Sequence, residues 1–203
     1  MAELDTAGLL AIAAALGWAS GLRLYAVVFL AGLAGRLGWV DLPAGLQVLE
    51  HPGLLGLSGV LLAVEFLADK VQGLDSIWDL LNGVLRIPAG ATLAASVLGA
   101  DSSTMGVVGL LLGGTLAASA QLAKTSTRAA INTLPEPLSN LAASFTEDGL
   151  VLGMLWLAFT KPLLGALVLV ALVLGLGWLT WVCWRFLRGM LRHIRLIVGR
   201  LRS

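Results

Sequence analysis

The chain has 203 residues, of which 58% are hydrophobic and only 12% charged, and its mean hydropathy is +0.93. A soluble domain carries about a quarter charged residues, so this composition excludes a soluble globular protein. The formal net charge of +1 points to no polyanionic partner, and no interaction with nucleic acid is expected. We therefore predict an all-α fold, a polytopic bundle of about six transmembrane helices.

The N-terminal residues read MAELDTAG, which is acidic and lacks the positively charged region that begins a signal peptide. The first apolar segment is therefore expected to stay in the mature chain. Most of the later apolar stretches fall short of the ~20 residues of a full span, and Ser, Gly, Pro and charged residues join them. This pattern predicts short or broken helices, which often line a site at membrane depth, although small residues also allow close helix packing.

An internal repeat would divide the chain into a first membrane half, residues 1–103, and a second, residues 104–186. It aligns Gly8–Arg23 with Gly113–Arg128, and in both copies a helix of small residues ends in a polar turn with one arginine. If each half forms three spans, the result is a 3+3 inverted repeat about an axis in the membrane plane.

Four carboxylates follow the apolar run of the first half, within residues 64–81: Glu65, Asp69, Asp75 and Asp79. At 100° per residue they share about 120° of one helical face. Each would cost ~3 kcal/mol at membrane depth unless it were paired, protonated, interfacial or bound to an ion. We predict a site that binds an ion or carries protons. The alternatives are an interfacial acidic face paired with basic residues such as Lys70 and Arg86, and a contact with lipid headgroups.

The ligand atoms near this acidic segment are oxygens, because His51 stands alone and the chain has a single cysteine. If a metal binds, its predicted ligands are Asp69, Asp75 and Asp79. Hard cations (Mg²⁺, Ca²⁺, Mn²⁺ or Na⁺) or protons fit such oxygens better than Zn²⁺ or Cu⁺. No other cofactor is predicted.

The second half contains a polar segment, residues 124–148, that opens with KTSTR. Ser126 or Thr127 could cap a helix that starts near Arg128. Two prolines, at 135 and 137, must interrupt that helix. A re-entrant hairpin or an unwound helix is the structure predicted here, buried in protein or lining a wet cavity.

The basic and hydroxyl side chains of this segment could bind an anion or phosphate headgroup at a helix start, or neutralise the carboxylates of the first half. The residues predicted for anion binding or charge balance are Arg23, Lys70, Lys124, Ser126, Thr127, Arg128 and Asn132. Glu147 and Asp148 are predicted to extend the acidic site, or else mark an interface.

The C-terminal residues 187–203 are predicted to form a basic amphipathic tail. Six of the thirteen basic residues fall in the last nineteen positions, directly after Trp178, Trp181 and Trp184. A basic flank after a membrane helix stays in the cytoplasm, and a helix of this kind lies along anionic lipid. The tryptophans and glycine-rich faces would also permit a homodimer.

Two motifs carry a resemblance to a known family. They are E-x-x-x-D-K…L-D-S-x-W-D, from Glu65 to Asp79, and K-T-S-T-R-A-x-x-N-x-x-P-E-P-x-S-N, from Lys124 to Asn140, which Glu147 and Asp148 follow. Together they resemble a bacterial integral membrane family catalogued as domain of unknown function 4126, over about Leu9 to Pro162. The resemblance implies a small multi-pass protein of the bacterial inner membrane and no particular activity.

The function predicted from these features is a small transporter or channel for a hard cation or protons, with a polar site between the two halves. The alternatives are a protein that binds or flips anionic lipids, and a membrane scaffold with structural ion pairs. No enzyme is predicted, because the chain lacks a Gly-x-Ser-x-Gly elbow, a His-Glu-x-x-His motif, a phosphate loop and a nucleophile beside a base.

Overall fold

The computed structural model describes residues 5–68, 74–99, 102–133 and 137–201. Within these ranges the side chains of 74–77, 80, 137 and 190–201 are not described. Of the predicted site residues, Asp69 and Lys70 lie outside the described residues, and so does the side chain of Asp75.

The described chain is a bundle of six α-helices and one short 3₁₀ helix. In chain order these are α1 (Thr6–Arg36), the 3₁₀ helix (Ala44–Glu50), α2 (Pro52–Ala68), α3 (Leu74–Leu98), α4 (Ser103–Ile131), α5 (Pro137–Thr160) and α6 (Pro162–Leu201). The described residues contain no strand. The predicted all-α fold is confirmed.

Five helices have the length and apolar composition needed to cross a membrane. They are α1, α4 and the apolar parts of α3, α5 and α6; the 3₁₀ helix and α2 would form a sixth span, bent by 71° between its two parts. The chain is a multi-pass membrane protein with five or six spans, and the predicted broken helix occurs in its first half.

Helix α1 is itself interrupted at Arg23. The backbone of Arg23 is extended, with φ −145° and ψ 86°, so two helical segments meet there. Carbonyl groups in the last turn before such a break lose their partners within the helix and need other donors. The break therefore creates polar backbone inside the bundle, at the position of a buried arginine.

Helices α1, α3 and α4 cross closely through small residues. A Cβ atom added to Gly17 would lie 2.5 Å from the Cα atom of Gly113, and one on Gly21 would lie 2.3 Å from the carbonyl oxygen of Ala117. Gly90 on α3 likewise approaches the Gly17 carbonyl. Small residues allow helix backbones to approach each other within a membrane, and this crossing fixes the three helices beside the break in α1.

The internal repeat stays a prediction. It aligns Arg23 with Arg128, and both are buried. However, Gly17 meets Gly113 and, one turn later, Gly21 meets Ala117, so α1 and α4 run in the same direction where they cross. An inverted repeat would run its corresponding helices in opposite directions.

The predicted re-entrant hairpin at 124–148 is wrong. Helix α4 continues to Ile131 and α5 begins at Pro137, so the segment is the end of one long helix and the start of the next. The hydroxyls do not interrupt α4; Thr125, for example, donates to the carbonyl of Gln121 one turn earlier, at 2.8 Å. Ser126 and Thr127 therefore lie inside a helix and do not cap one. Pro137 is accommodated as the first residue of α5, where no backbone N–H is required.

The predicted tail is continuous with the last span. Helix α6 extends unbroken from Pro162 to Leu201, across the boundary predicted at 187. Trp178, Trp181 and Trp184 are exposed on it.

Candidate functional site

Eight ionisable side chains from five helices form one connected network inside the bundle. We call it the charged cluster; its members are Arg23 on α1, Glu65 on α2, Asp79 and Arg86 on α3, Lys124 and Arg128 on α4, and Glu147 and Asp148 on α5. Four are cations and four are carboxylates, so these described members carry no net formal charge. The cluster draws on both halves of the chain.

Arg86 joins the two carboxylates of the first half. Its side chain is 0% exposed, and its guanidinium lies 2.7 Å from Glu65 and 2.8 Å from Asp79, with a further hydrogen bond of 3.0 Å to Gln121. Glu65 is also 0% exposed, although it belongs to a helix whose other faces expose several large apolar residues. Arg86 was absent from the predicted site set, although it follows Asp79 by two helical turns and therefore shares its face.

The Lys124 ammonium group connects three other helices. Its Nζ atom lies 3.0 Å from Asp79 Oδ1, 3.2 Å from Glu147 Oε2 and 3.3 Å from the carbonyl oxygen of Leu22. Leu22 directly precedes the break in α1, so its carbonyl stands at the C-terminal end of a helical segment. A cation is favoured there by the helix dipole and by the unsatisfied carbonyls of the last turn.

Arg128 makes a two-pronged contact with Glu147. Its Nε and Nη2 atoms each donate to a different oxygen of that carboxylate, both at 3.2 Å. Its Nη1 atom donates to the side-chain oxygen of Asn140 and to the Asn140 carbonyl, the latter at 3.3 Å. Such bidentate pairs fix direction as well as charge, so α4 and α5 are held in register at their polar ends.

Arg23 ties the break in α1 to α5. Its Nε atom lies 2.6 Å from Asp148 Oδ1, and its Nη2 atom donates to Ser144 Oγ at 2.9 Å and lies 4.0 Å from Glu147. Glu147 thus lies within 4.0 Å of three cationic side chains and is the centre of the cluster.

A chain of neutral hydrogen bonds lies beside the cluster. The Tyr25 hydroxyl donates to Asn82 Oδ1 at 2.7 Å, and Asn82 Nδ2 donates to the Trp78 carbonyl at 2.9 Å. The predicted site does not include Tyr25 or Ser144, since neither differs by sequence from an ordinary polar residue at a helix surface. Asn140 stands at the end of the second polar motif and is also absent from the predicted site.

Some buried polar atoms of the cluster have no hydrogen-bond partner within the described structure. They are Glu65 Oε2, Asp79 Oδ2 and Arg86 Nε. A buried polar group without a partner is costly, so these atoms have unused capacity for a ligand, a water molecule or a proton.

Three cavities reach the cluster from different sides. The lateral cavity, about 550 Å³ between α1, α2 and α5, ends at Arg23 and Asp148. The inner cavity, about 300 Å³ and bordered by α4, α5 and α6, contains Lys124 and Glu147 in its wall. The α3–α4 groove, about 580 Å³, reaches Asp79 and Arg128.

The predicted metal set is not assembled among the residues described. No group of three His, Cys, Asp or Glu side chains in the described part of the chain is arranged to hold a metal ion. Asp79 contacts two cationic side chains there. Since the side chains of Asp69 and Asp75 lie outside that part, the metal site stays a prediction.

The remaining predicted residues border the cluster. Ser126 is half-buried, Thr127 lines the inner cavity, and Asn132 ends α4 with its backbone N–H donating to the Arg128 carbonyl. The helix start predicted for the anion site is wrong, because Lys124 and Arg128 occupy the last turns of α4, and anion binding itself stays a prediction. Both contact carboxylates instead, which is the alternative of charge neutralisation.

Comparison with known proteins gives one match. No curated protein matches the chain, and no solved structure does. The family model described as domain of unknown function (DUF4126) matches residues 10–182, which is most of the sequence. The resemblance seen in the two polar motifs is thereby confirmed, and the chain belongs to the DUF4126 family.

Proposed function

We propose that this protein is a transporter for a small cation or for protons, and that the charged cluster is its transport site. The observation that carries the proposal is the position of Lys124. Its ammonium group is held between Asp79 from the first half and Glu147 from the second, at a carbonyl freed by the break in α1. Broken helices whose free carbonyls bind cations between two halves are typical of secondary transporters.

Energetics favour a functional cluster over a purely structural one. Burying charges costs several kcal/mol per ion even when they are paired, and well-packed apolar residues in place of a buried ion pair are often neutral or stabilising by about 1–4 kcal/mol. Burying eight such side chains, in a chain with only 12% charged residues, therefore costs more free energy than a role in packing alone would explain. Ionisable residues at membrane depth mark ion and proton pathways.

Two cavities support the proposal. The lining of the inner cavity includes Lys124 and Glu147, and that of the α3–α4 groove includes Asp79. A cation or proton entering from one would leave by the other once the contacts among Lys124, Asp79 and Glu147 rearranged. Such a rearrangement moves charge between two cavities without opening a continuous pore.

The proposal is tested by currents from the purified protein in proteoliposomes on a solid-supported membrane. Steps in Na⁺, K⁺, NH₄⁺ or pH should produce transient currents with the wild-type protein, and Asp79→Asn should abolish them. The matched control is Asp41→Asn, which neutralises an exposed carboxylate outside the cluster and should leave the currents intact. Wild-type protein that is folded but gives no current with any of these ions would favour the scaffold alternative.

We propose that the protein resides in a bacterial inner membrane, with the C-terminal part of α6 on the cytoplasmic side against anionic lipid. The supporting contacts are two cation–π pairs, with the Arg185 guanidinium 5.4 Å from the Trp181 ring centre and that of Arg188 5.1 Å from the Trp184 ring. Aromatic residues followed by arginines fit the headgroup layer of the cytoplasmic leaflet. A phosphatase fusion at the C-terminus should be inactive, and an active fusion would reverse the orientation.

A further inference from the structure

We infer that the oxygens around Lys124 form a site for a monovalent cation of ammonium size, which the protein's own Lys124 amino group fills in this structure. The inference rests on the proposed function for its biological role, and it adds the class of ion. Its physical basis is the geometry around Nζ, which can be tested separately from transport.

The first observation is the set of distances. Asp79 Oδ1, Glu147 Oε2 and the Leu22 carbonyl oxygen lie 3.0, 3.2 and 3.3 Å from Nζ. These are separations between an N–H donor and an oxygen acceptor, as a lysine ammonium group makes. A cation of similar radius and single charge could occupy the same position with little movement of the oxygens. Mg²⁺, which demands six ligands at about 2.0–2.1 Å, could not.

The second observation is a buried carboxylate oxygen beside Lys124 that accepts no hydrogen bond. Asp79 is 4% exposed, and its Oδ2 atom is buried with no hydrogen-bond partner in the described structure. A free ammonium ion has one N–H more than a lysine side chain has. Asp79 Oδ2 therefore offers a further oxygen at the site, which the additional N–H of a free ammonium ion could use.

Charge balance selects a monovalent ion. Removing the lysine takes one positive charge away from beside Asp79 and Glu147. A monovalent cation at the same position replaces that charge one for one, whereas a divalent cation would add a second positive charge to a low-dielectric interior.

The inner cavity gives a free ion access to this position. It has a volume of about 300 Å³, and its lining includes Lys124, Glu147 and the polar residues Thr127, Ser139 and Thr146. Removing the lysine side chain would join this space directly to the three oxygens.

The test is chemical rescue of Lys124→Ala by added ions. Thermal unfolding of the variant in detergent is compared in NH₄Cl, KCl, NaCl and N-methyl-D-glucamine chloride at equal ionic strength. An ion present at about 100 times its Kd raises the melting temperature of a chain of this size by roughly 5–10 °C. We expect such a rise in NH₄⁺ or K⁺ for Lys124→Ala, and a difference of less than about 1 °C for the wild type under the same comparison.

Two further variants control for packing and folding. Lys124→Met fills the space with an uncharged side chain of similar length and should show no ion response. The double variant Lys124→Ala with Asp79→Asn removes both charges of one ion pair, so it should fold and lose the response. Equal melting of Lys124→Ala in all four salts overturns the inference. So does its failure to fold in ammonium when the double variant folds. If ions stabilise Lys124→Ala but the wild-type protein carries no current, the cation site is supported and the transport function is refuted.

Discussion

Replacing Arg86 with methionine removes the cation that holds two carboxylates in the interior of the bundle. Arg86 and Glu65 are both 0% exposed, and the guanidinium lies within 2.8 Å of Glu65 and of Asp79. Removing one partner of a buried pair costs about 3–5 kcal/mol, because an uncompensated charge stays behind. At about 2–4 °C per kcal/mol for a chain of this length, the melting temperature should fall by roughly 6–20 °C. Methionine keeps most of the apolar stem, so the loss reports on charge more than on volume.

The assay is thermal unfolding in detergent, followed by far-ultraviolet circular dichroism. The double variant Glu65→Gln with Arg86→Met should regain part of the loss, because Glu65, whose contact with Arg86 is lost, is then uncharged, while Asp79 keeps its contact with Lys124. The matched control is Arg36→Met, which removes an exposed arginine that hydrogen-bonds the Glu50 carbonyl, and it should change the melting temperature little. If Arg86→Met melted with the wild type, the buried pairing described for this side chain would be wrong.

Three other substitutions have outcomes that follow from the geometry. Gly17→Ala places a Cβ atom 2.5 Å from the α4 backbone and should destabilise the protein by about 1–3 kcal/mol. In Gly149→Ala the added Cβ atom meets no atom within 4 Å, so this change should stabilise the protein by about 0.5–1 kcal/mol. Thermal unfolding measures both. Tyr25→Phe removes the donor to Asn82 and should lower the stability by about 1 kcal/mol in the same measurement. Unchanged stability would imply that a water molecule replaces the hydroxyl. Arg128→Lys keeps the charge but cannot make the two-pronged contact with Glu147, so it should lower the stability by about 2 kcal/mol. Unchanged stability would show that charge alone holds α5.

The membrane class and the helical fold could be predicted from composition because a bilayer accepts few other structures. The polar turn predicted at Arg23 lies where α1 is broken. The polar segment of the second half was misread. The helix does end before the prolines, at Ile131. However, Thr125 bonds back within α4 and Pro137 begins α5, so two long helices result and not a re-entrant hairpin.

Glu65, Asp79, Glu147 and Asp148 lie in the cluster, and Arg23, Lys124 and Arg128, which were predicted for charge balance, are among their partners. The sequence did not predict which carboxylate meets which cation. Glu65 and Asp79 were placed on one helical face, whereas they come from α2 and α3 and meet at Arg86. Arg23 and Ser144 are 121 positions apart, and only the packing of α1 on α5 brings them together. Local spacing describes one element at a time, so a cluster assembled from five helices cannot be obtained from it.

The central claim is that the charged cluster serves transport and not only packing, and Glu147→Gln tests it most directly. Glu147 lies within 4.0 Å of Lys124, Arg128 and Arg23, so this change removes the charge at the centre of the cluster and keeps the shape of the side chain. Ion flux into proteoliposomes is measured per folded protein, well below the melting temperature of the variant. The account predicts at least about a tenfold loss of flux, equivalent to roughly 1.4 kcal/mol in the barrier. Wild-type flux in the folded variant would contradict it.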